Sequence, residues 1–133
     1  MTAFEFLGTE WLTEVERLIR SRIEPEVINY ATTSVLTVFE NCPGGLEKAL
    51  LFQTKKGMLE RIEVVEEPYP QSEFTVRGDY FNFLKVFKGT LDPMAAIMGG
   101  ELHFQGNMLR AMGMISVIQP FYQVLAEIPT KTE

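Results

Sequence analysis

Between Phe87 and Met112 the chain is punctuated so densely that few folds can accommodate it. Gly89 stops one helical pattern, Asp92-Pro93 supplies a cap and a favoured first residue for another, and Gly99-Gly100 ends it. An alternating strand over residues 101–105 closes at Gly106-Asn107, and an apolar, Met-rich segment follows. Five of the seven methionines fall between Met94 and Met114. Thioether side chains adapt to irregular shapes, and almost nothing in this stretch can make or break bonds. The pattern predicts an adaptable apolar wall, suited to carrying a hydrophobic molecule rather than transforming one.

The same stretch carries a resemblance. Gly89-x-Leu91-x-Pro93, followed by Gly100-x-Leu102-x-x-x-Gly106-Asn107-Met108-x-x-Ala111-Met112, resembles the C-terminal half of the sterol carrier protein type-two family. The resemblance implies a hydrophobic tunnel between a sheet and the C-terminal helices. Upstream, the order of elements is compatible with that family but supplies no motif.

With 133 residues, the chain is expected to form a single domain over 1–133 that buries about two-thirds of its unfolded surface. Its 12 basic and 18 acidic residues give a net charge of −6, which argues against a nucleic-acid partner. Anionic membranes repel such a protein on average, although a local pair such as Lys55-Lys56 leaves room for transient membrane contact. Cys42, the single cysteine, excludes an internal disulfide; it reads as a small turn residue, with a reactive thiol as the alternative. No secretory leader is visible at the start, and no apolar run approaches the ~18 residues of a spanning helix. The ending Pro-Thr-Lys-Thr-Glu is not the peroxisomal address that eukaryotic members of the resembled family often carry. A cytoplasmic, prokaryotic protein is the expectation.

Periodicity predicts a first helix over residues 10–22, capped by Thr9, with Trp11, Leu12, Val15, Leu18, Ile19 and Ile23 on its apolar face. Strands are expected at 33–40, 46–54 and 58–65, the last two joined by a tight hairpin at Lys55-Lys56-Gly57 and the third peripheral because of its charges. Residues 46–53 also suit a helix, since Glu, Lys, Ala and Leu favour one. A fourth strand is expected at 72–77, helices at 80–88 (capped by Asp79) and 93–98, and a fifth strand at 101–105. Asn107 should cap a last helix that Pro120 kinks or breaks. Residues 121–128 then read as a mobile lid or as fixed core. The fold expected is α+β: a five-stranded, largely antiparallel sheet covered by helices, sterol-carrier-protein-like.

The second-half helices are apolar around too much of their circumference. From Met108 to Ile118 only Arg110, Gly113 and Ser116 interrupt the apolar run. Core packing or a homodimer would absorb such surface, as would a ligand. Candidate lipid-binding residues are Phe81, Leu84, Ile97, Met98, Leu102, Phe104, Met108, Met112, Ile115, Phe121 and Leu125. Candidate groups at the cavity mouth are Gln105, Asn107, Arg110 and Gln119. Candidates for chemistry are few. His103, the only histidine, should point away from Leu102 and Phe104 to the surface, and the glutamate pairs lie where solvated charge is ordinary. No catalytic residue, metal or cofactor is expected.

The expected function is therefore non-enzymatic binding and transfer of a fatty acid, fatty acyl thioester, phospholipid or other lipid. The alternatives are an accessory scaffold presenting a lipophilic intermediate to biosynthetic enzymes, for example of quinone synthesis, and a homodimeric interaction module without ligand.

Overall fold

The computed structural model describes residues 4–28, 30–113, 115–128 and 130–131. In chain order the elements are β1 (Phe4–Glu5), α1 (Thr9–Arg22), a 3-10 turn (Pro25–Ile28), β2 (Thr33–Cys42), β3 (Leu46–Lys55) and β4 (Met58–Val65). Then come β5 (Phe74–Asp79), α2 (Tyr80–Phe87), α3 (Pro93–Gly99), β6 (Leu102–Gln105), α4 (Met108–Gly113), α5 (Ile115–Glu127) and β7 (Thr130–Lys131). The main sheet has five strands in the order β4-β3-β2-β5-β6, while β1 pairs separately with β7. Every neighbouring pair of the main sheet is antiparallel except β2 with β5, so the sheet is mixed and mostly antiparallel.

The central strands alternate, and both of their faces are covered. Val35 and Phe39 of β2, with Leu50 and Phe52 of β3, join the core beneath the helices. Leu36, Val38, Ala49 and Leu51 form a smaller cluster on the opposite face. The connection over residues 66–73 runs from the β4 edge past β3 and β2 to reach β5. On that opposite face, Val65 and Tyr69 pack against the smaller cluster. Burial on both faces goes with β3 as a strand, although its Glu, Lys, Ala and Leu favour a helix.

Helix α1 buries Trp11, Val15, Leu18 and Ile19 against the sheet, each contributing about 1.5–3 kcal/mol. Its N-cap is Gly8, not Thr9, which is already helical. The Gly8 carbonyl accepts from the Leu12 amide at 2.9 Å. Asp79 caps α2 by accepting from the Phe81 amide, and Asp92 caps α3 by accepting from the Ala95 amide. The β3–β4 hairpin turns on Lys56 (φ 51°) and Gly57 (φ 83°), the left-handed pair that suits a two-residue loop between twisted strands. β4 is an edge strand, as its charges predict.

Pro120 does not end a helix. α5 runs through it from Ile115 to Glu127. Phe121, Tyr122, Val124, Leu125 and Ile128 are all buried in the main core. Phe52 meets Phe121 at 5.2 Å between ring centroids, and Phe87 meets Tyr122 at 5.6 Å. Residues 121–128 are thus packed as core. No helix among the described residues is long and apolar enough to cross a membrane.

Candidate functional site

Local chain chemistry assembles an apolar cleft at the β6 end of the sheet. Asp92 and Pro93 start α3, and Gly100, in the left-handed region at φ 86°, ends it so that the chain can return as β6. Gly78 of β5 sits opposite Leu102, whose Cδ2 lies 2.4 Å from where a Cβ would stand. Any side chain at Gly78 would push β6 away. After β6, Gly106 (φ 138°) reverses the chain, and the Asn107 side chain accepts from the Arg110 amide at 3.1 Å to start α4.

The cleft is lined by Val76, Leu102 and Phe104 from the sheet, Met94 and Ile97 from α3, Met108 and Ala111 from α4, and Tyr122 from α5, with Asp92, Pro93 and Gln119 at its margin. Its volume is about 50 Å³, room for a few waters and well short of the ~300 Å³ or more of ordinary ligand pockets. Polar groups there are few, and two of the three are engaged. Asp92 is committed to its cap, and the Tyr122 hydroxyl lies 3.3 Å from the Thr37 hydroxyl. Burial pushes the Tyr122 phenol up to about 12, despite that hydrogen bond, so it stays neutral. Nothing in this lining pairs a nucleophile with a base.

Five of the fifteen residues expected at the site meet here: Ile97, Leu102, Phe104, Met108 and Gln119. The others lie elsewhere. Phe81, Met98 and Met112 are 57%, 82% and 60% exposed and do not line the cleft; each sits on the wet side of a helix that the composition made look apolar all round. Leu84 packs at the edge of the core, and Leu125 lies within it. Gln105 is exposed opposite Thr75, Asn107 serves as a cap, and the Ile115 side chain lies outside the described residues. Arg110 is not among the residues lining the cleft. It bonds Glu73 and donates to the Thr32 carbonyl at 3.4 Å. Burial opposes the charge on Glu73, but hydrogen bonds from Arg110 and Thr33 outweigh it and hold the carboxyl below its ordinary value. Sequence reading missed Val76, Met94, Ala111 and Tyr122; the spacing of Ala111 three residues after Met108 was the available signal for one of them.

A second cleft, larger at about 220 Å³ but more open and more polar, lies on the other side of α5. Ile19 of α1, Ile23 at its C-cap, Pro25, Gly57, Met58 and Leu59 of β4 and Phe121 form it, with Arg20 and Glu24 also lining it. Arg20 is held by Glu16 at 3.0 Å and by the Leu59 carbonyl at 3.2 Å. The first cleft is the better candidate site, because it is the more enclosed and the more apolar. His103 is exposed on β6, and no group of three or more metal-ligating side chains occurs among the described residues.

Helices laid over one face of a five-stranded mixed sheet, with an apolar cleft where α3, α4 and β6 meet, define a compact α+β class. Within it, the SCP-2 sterol transfer family matches residues 41–119, more than half of the chain, and the chain belongs to that family. Among solved structures, a crystal structure of sterol carrier protein 2 superposes with a TM-score of 0.77 at 18% identity, covering 93% of this chain and 99% of that one. A conserved hypothetical protein from Thermus thermophilus, described as possibly a sterol carrier protein, gives 0.75 at 17% identity, with 100% and 96% covered. Palmitated SCP2L2 from Aedes aegypti gives 0.57 at 13% identity, with 81% and 93% covered. At these identities the likeness is one of fold. No curated protein sequence matches the chain.

Proposed function

We propose that this chain, as one domain over residues 1–133, binds a hydrophobic ligand non-covalently and transfers it, with the cleft between α3, β6, α4 and α5 as the site. The observation that carries this is the lining: Ile97, Leu102, Phe104, Met108 and Ala111 converge from separate elements on one apolar space. An acyl chain is the ligand class favoured, whether as fatty acid, fatty acyl thioester or phospholipid; a palmitated relative of the same fold supports it. Burial yields about 0.8 kcal/mol per methylene, so ten methylenes offer up to ~8 kcal/mol before ordering costs. Such burial is non-directional, and specificity for the chain is correspondingly loose.

A chain of that size needs more room than about 50 Å³, so loading requires a wall to move. α4 is a wall with few buried side chains: of its six residues only Ala111 is buried, and Gly106 lies just before it. Few buried contacts make an element cheap to displace.

Ala111→Phe tests the site. The added ring fills the cleft, so fluorescent fatty-acid binding should fall at least about tenfold, while overpacking lowers stability by about 1–3 kcal/mol. Met112→Trp, on the exposed side of the same helix, should leave binding unchanged. Equal loss in both variants, or none in a folded Ala111→Phe protein, places the ligand elsewhere. Native mass spectrometry of protein purified from cells adds an independent reading: co-purified lipid supports the carrier, and a ligand-free dimer supports an interaction module.

A further inference from the structure

β4 closes the main sheet on one side: it pairs with β3, and among the described residues no strand lies beyond it. Its outer edge therefore presents backbone amides and carbonyls without ladder partners, on which another strand can add. Sheets ordinarily blunt such an edge by keeping it short or by placing proline, lysine or a bulge in it. β4 has eight residues and contains neither proline nor lysine. Its irregularity against β3 falls between Gln53 and Thr54, at the hairpin end, so residues 61–65 run in regular register. The Leu59 carbonyl is engaged by Arg20 at 3.2 Å, which leaves the stretch beyond it as the open part. The opposite edge, β6, has only four residues.

We propose that the occupant of this edge is a second copy of the chain, joined by antiparallel β4–β4 pairing centred on Ile62, so that two sheets become one. Charge selects both the occupant and the register. The free backbone groups of an antiparallel edge belong to alternate residues, so two copies related by a two-fold axis can pair only in registers centred on a residue. Centring on Arg61 or Glu63 sets that charge against itself, and centring on Val64 runs the pairing past Val65, where the strand ends. Centring on Ile62 sets Arg61 against the partner's Glu63 and Glu63 against the partner's Arg61, both on the face away from the helices. In the single chain Arg61 bonds its own Glu63, so the two groups have only to exchange partners. On the helix side, Ile62 meets its own copy. Glu60, held by Gln53 at 3.0 Å, meets the partner's Val64 rather than a like charge. Repulsion remains at the ends of the seam, where Glu60 stands diagonal to the partner's Glu66, and in the net charge of −6 on each copy. Salt screens both, while ladder hydrogen bonds act at contact. The first cleft lies at the other end of the sheet, so the interface does not rest on the carrier reading.

The test is sedimentation of the full chain across about 10 µM to 1 mM in about 0.15 M salt. A reversible monomer–dimer equilibrium is expected, with amide protection over residues 60–65 rising as the dimer forms. Arg61→Glu and Glu63→Arg, each alone, should weaken the dimer about tenfold or more, since each sets like charges opposite one another twice. The two substitutions change net charge in opposite directions, so a shared loss is not an effect of net charge. Mixed together, the two variants should form a heterodimer, because carboxylates on one copy then face guanidinium groups on the other at both positions. Both substitutions in one chain should restore association. Both side chains are exposed, and matching thermal midpoints check that every variant is folded. An unaltered chain that stays monomeric throughout, a dimer that neither single variant weakens, or variants that remain apart when mixed overturns the proposal.

Discussion

At Gly106 two requirements coincide. Its φ of 138° lies where side chains are penalised, and a Cβ there would stand 2.8 Å from the Phe74 ring and 2.9 Å from the Glu73 carbonyl oxygen. Gly106→Val should therefore cost more than about 3 kcal/mol, read as a large fall in the thermal midpoint. Loss of ligand binding with an unchanged midpoint would mean that the turn is a binding loop. Tyr80 offers the opposite case. It is fully buried, and its hydroxyl has no hydrogen-bond partner among the described residues. An unsatisfied buried hydroxyl costs about 1–3 kcal/mol, so Tyr80→Phe should raise stability by about 1 kcal/mol in a denaturant titration; a decrease would show that the hydroxyl is engaged. Residues whose role is local were legible in the sequence. Asp79, Asp92 and Asn107 each cap the helix that immediately follows, and their side chains accept from amides two or three positions on. Arg110 was not legible, because its partner Glu73 is 37 residues away in the chain.

That long-range pair bears on how firmly α4 is held. Arg110 of α4 ties the helix to Glu73, just before β5, and Glu73 also accepts from the Thr33 hydroxyl at 2.5 Å. The Glu73 pKa is lowered on folding. Its stabilisation is therefore present above the unfolded-state value, about 4.3, and is lost as pH falls through that value towards the folded one. Protection of the amides of residues 108–113, taken relative to their intrinsic exchange rates, should fall on acidification through this window, and Glu73→Gln should show low protection at neutral pH with a flatter pH response. A wild-type profile already flat across the window would mean that the pair does not hold α4. Elements with one wet face were legible from periodicity, as α1 shows. Those without were not: β3, buried on both faces, read as well for helix, and the exposed Met112 and Met98 read as wall. Pro120 misled because α5 continues through it.

Across the whole molecule, the strand count of the main sheet was readable, while the β1–β7 pair and the neighbourhood of the strands were not. Turn residues mark where strands stop, but nothing local says that β5 lies parallel beside β2 while β4 takes the edge; that arrangement follows from burying both faces of β2. The C-terminal segment shows the same gap between local and global reading. Taken alone, residues 121–128 are too short for a stable helix, which suggests a lid. In the fold, Phe121, Tyr122, Val124, Leu125 and Ile128 are each at most 5% exposed, and the Tyr122 hydroxyl meets Thr37 on the central strand. Arg22 of α1 also pairs with Glu127, although that exposed contact adds little. Five buried side chains at about 1.5–3 kcal/mol each amount to roughly 7–15 kcal/mol, against a total stability of about 5–15 kcal/mol for an ordinary domain. Truncation after Gln119 should therefore abolish cooperative folding, with amide protection lost in β2 and β3 as well as in the helices. A truncated chain that kept a protected sheet and merely released lipid faster would restore the lid, and would move the entrance from α4 to the end of the chain.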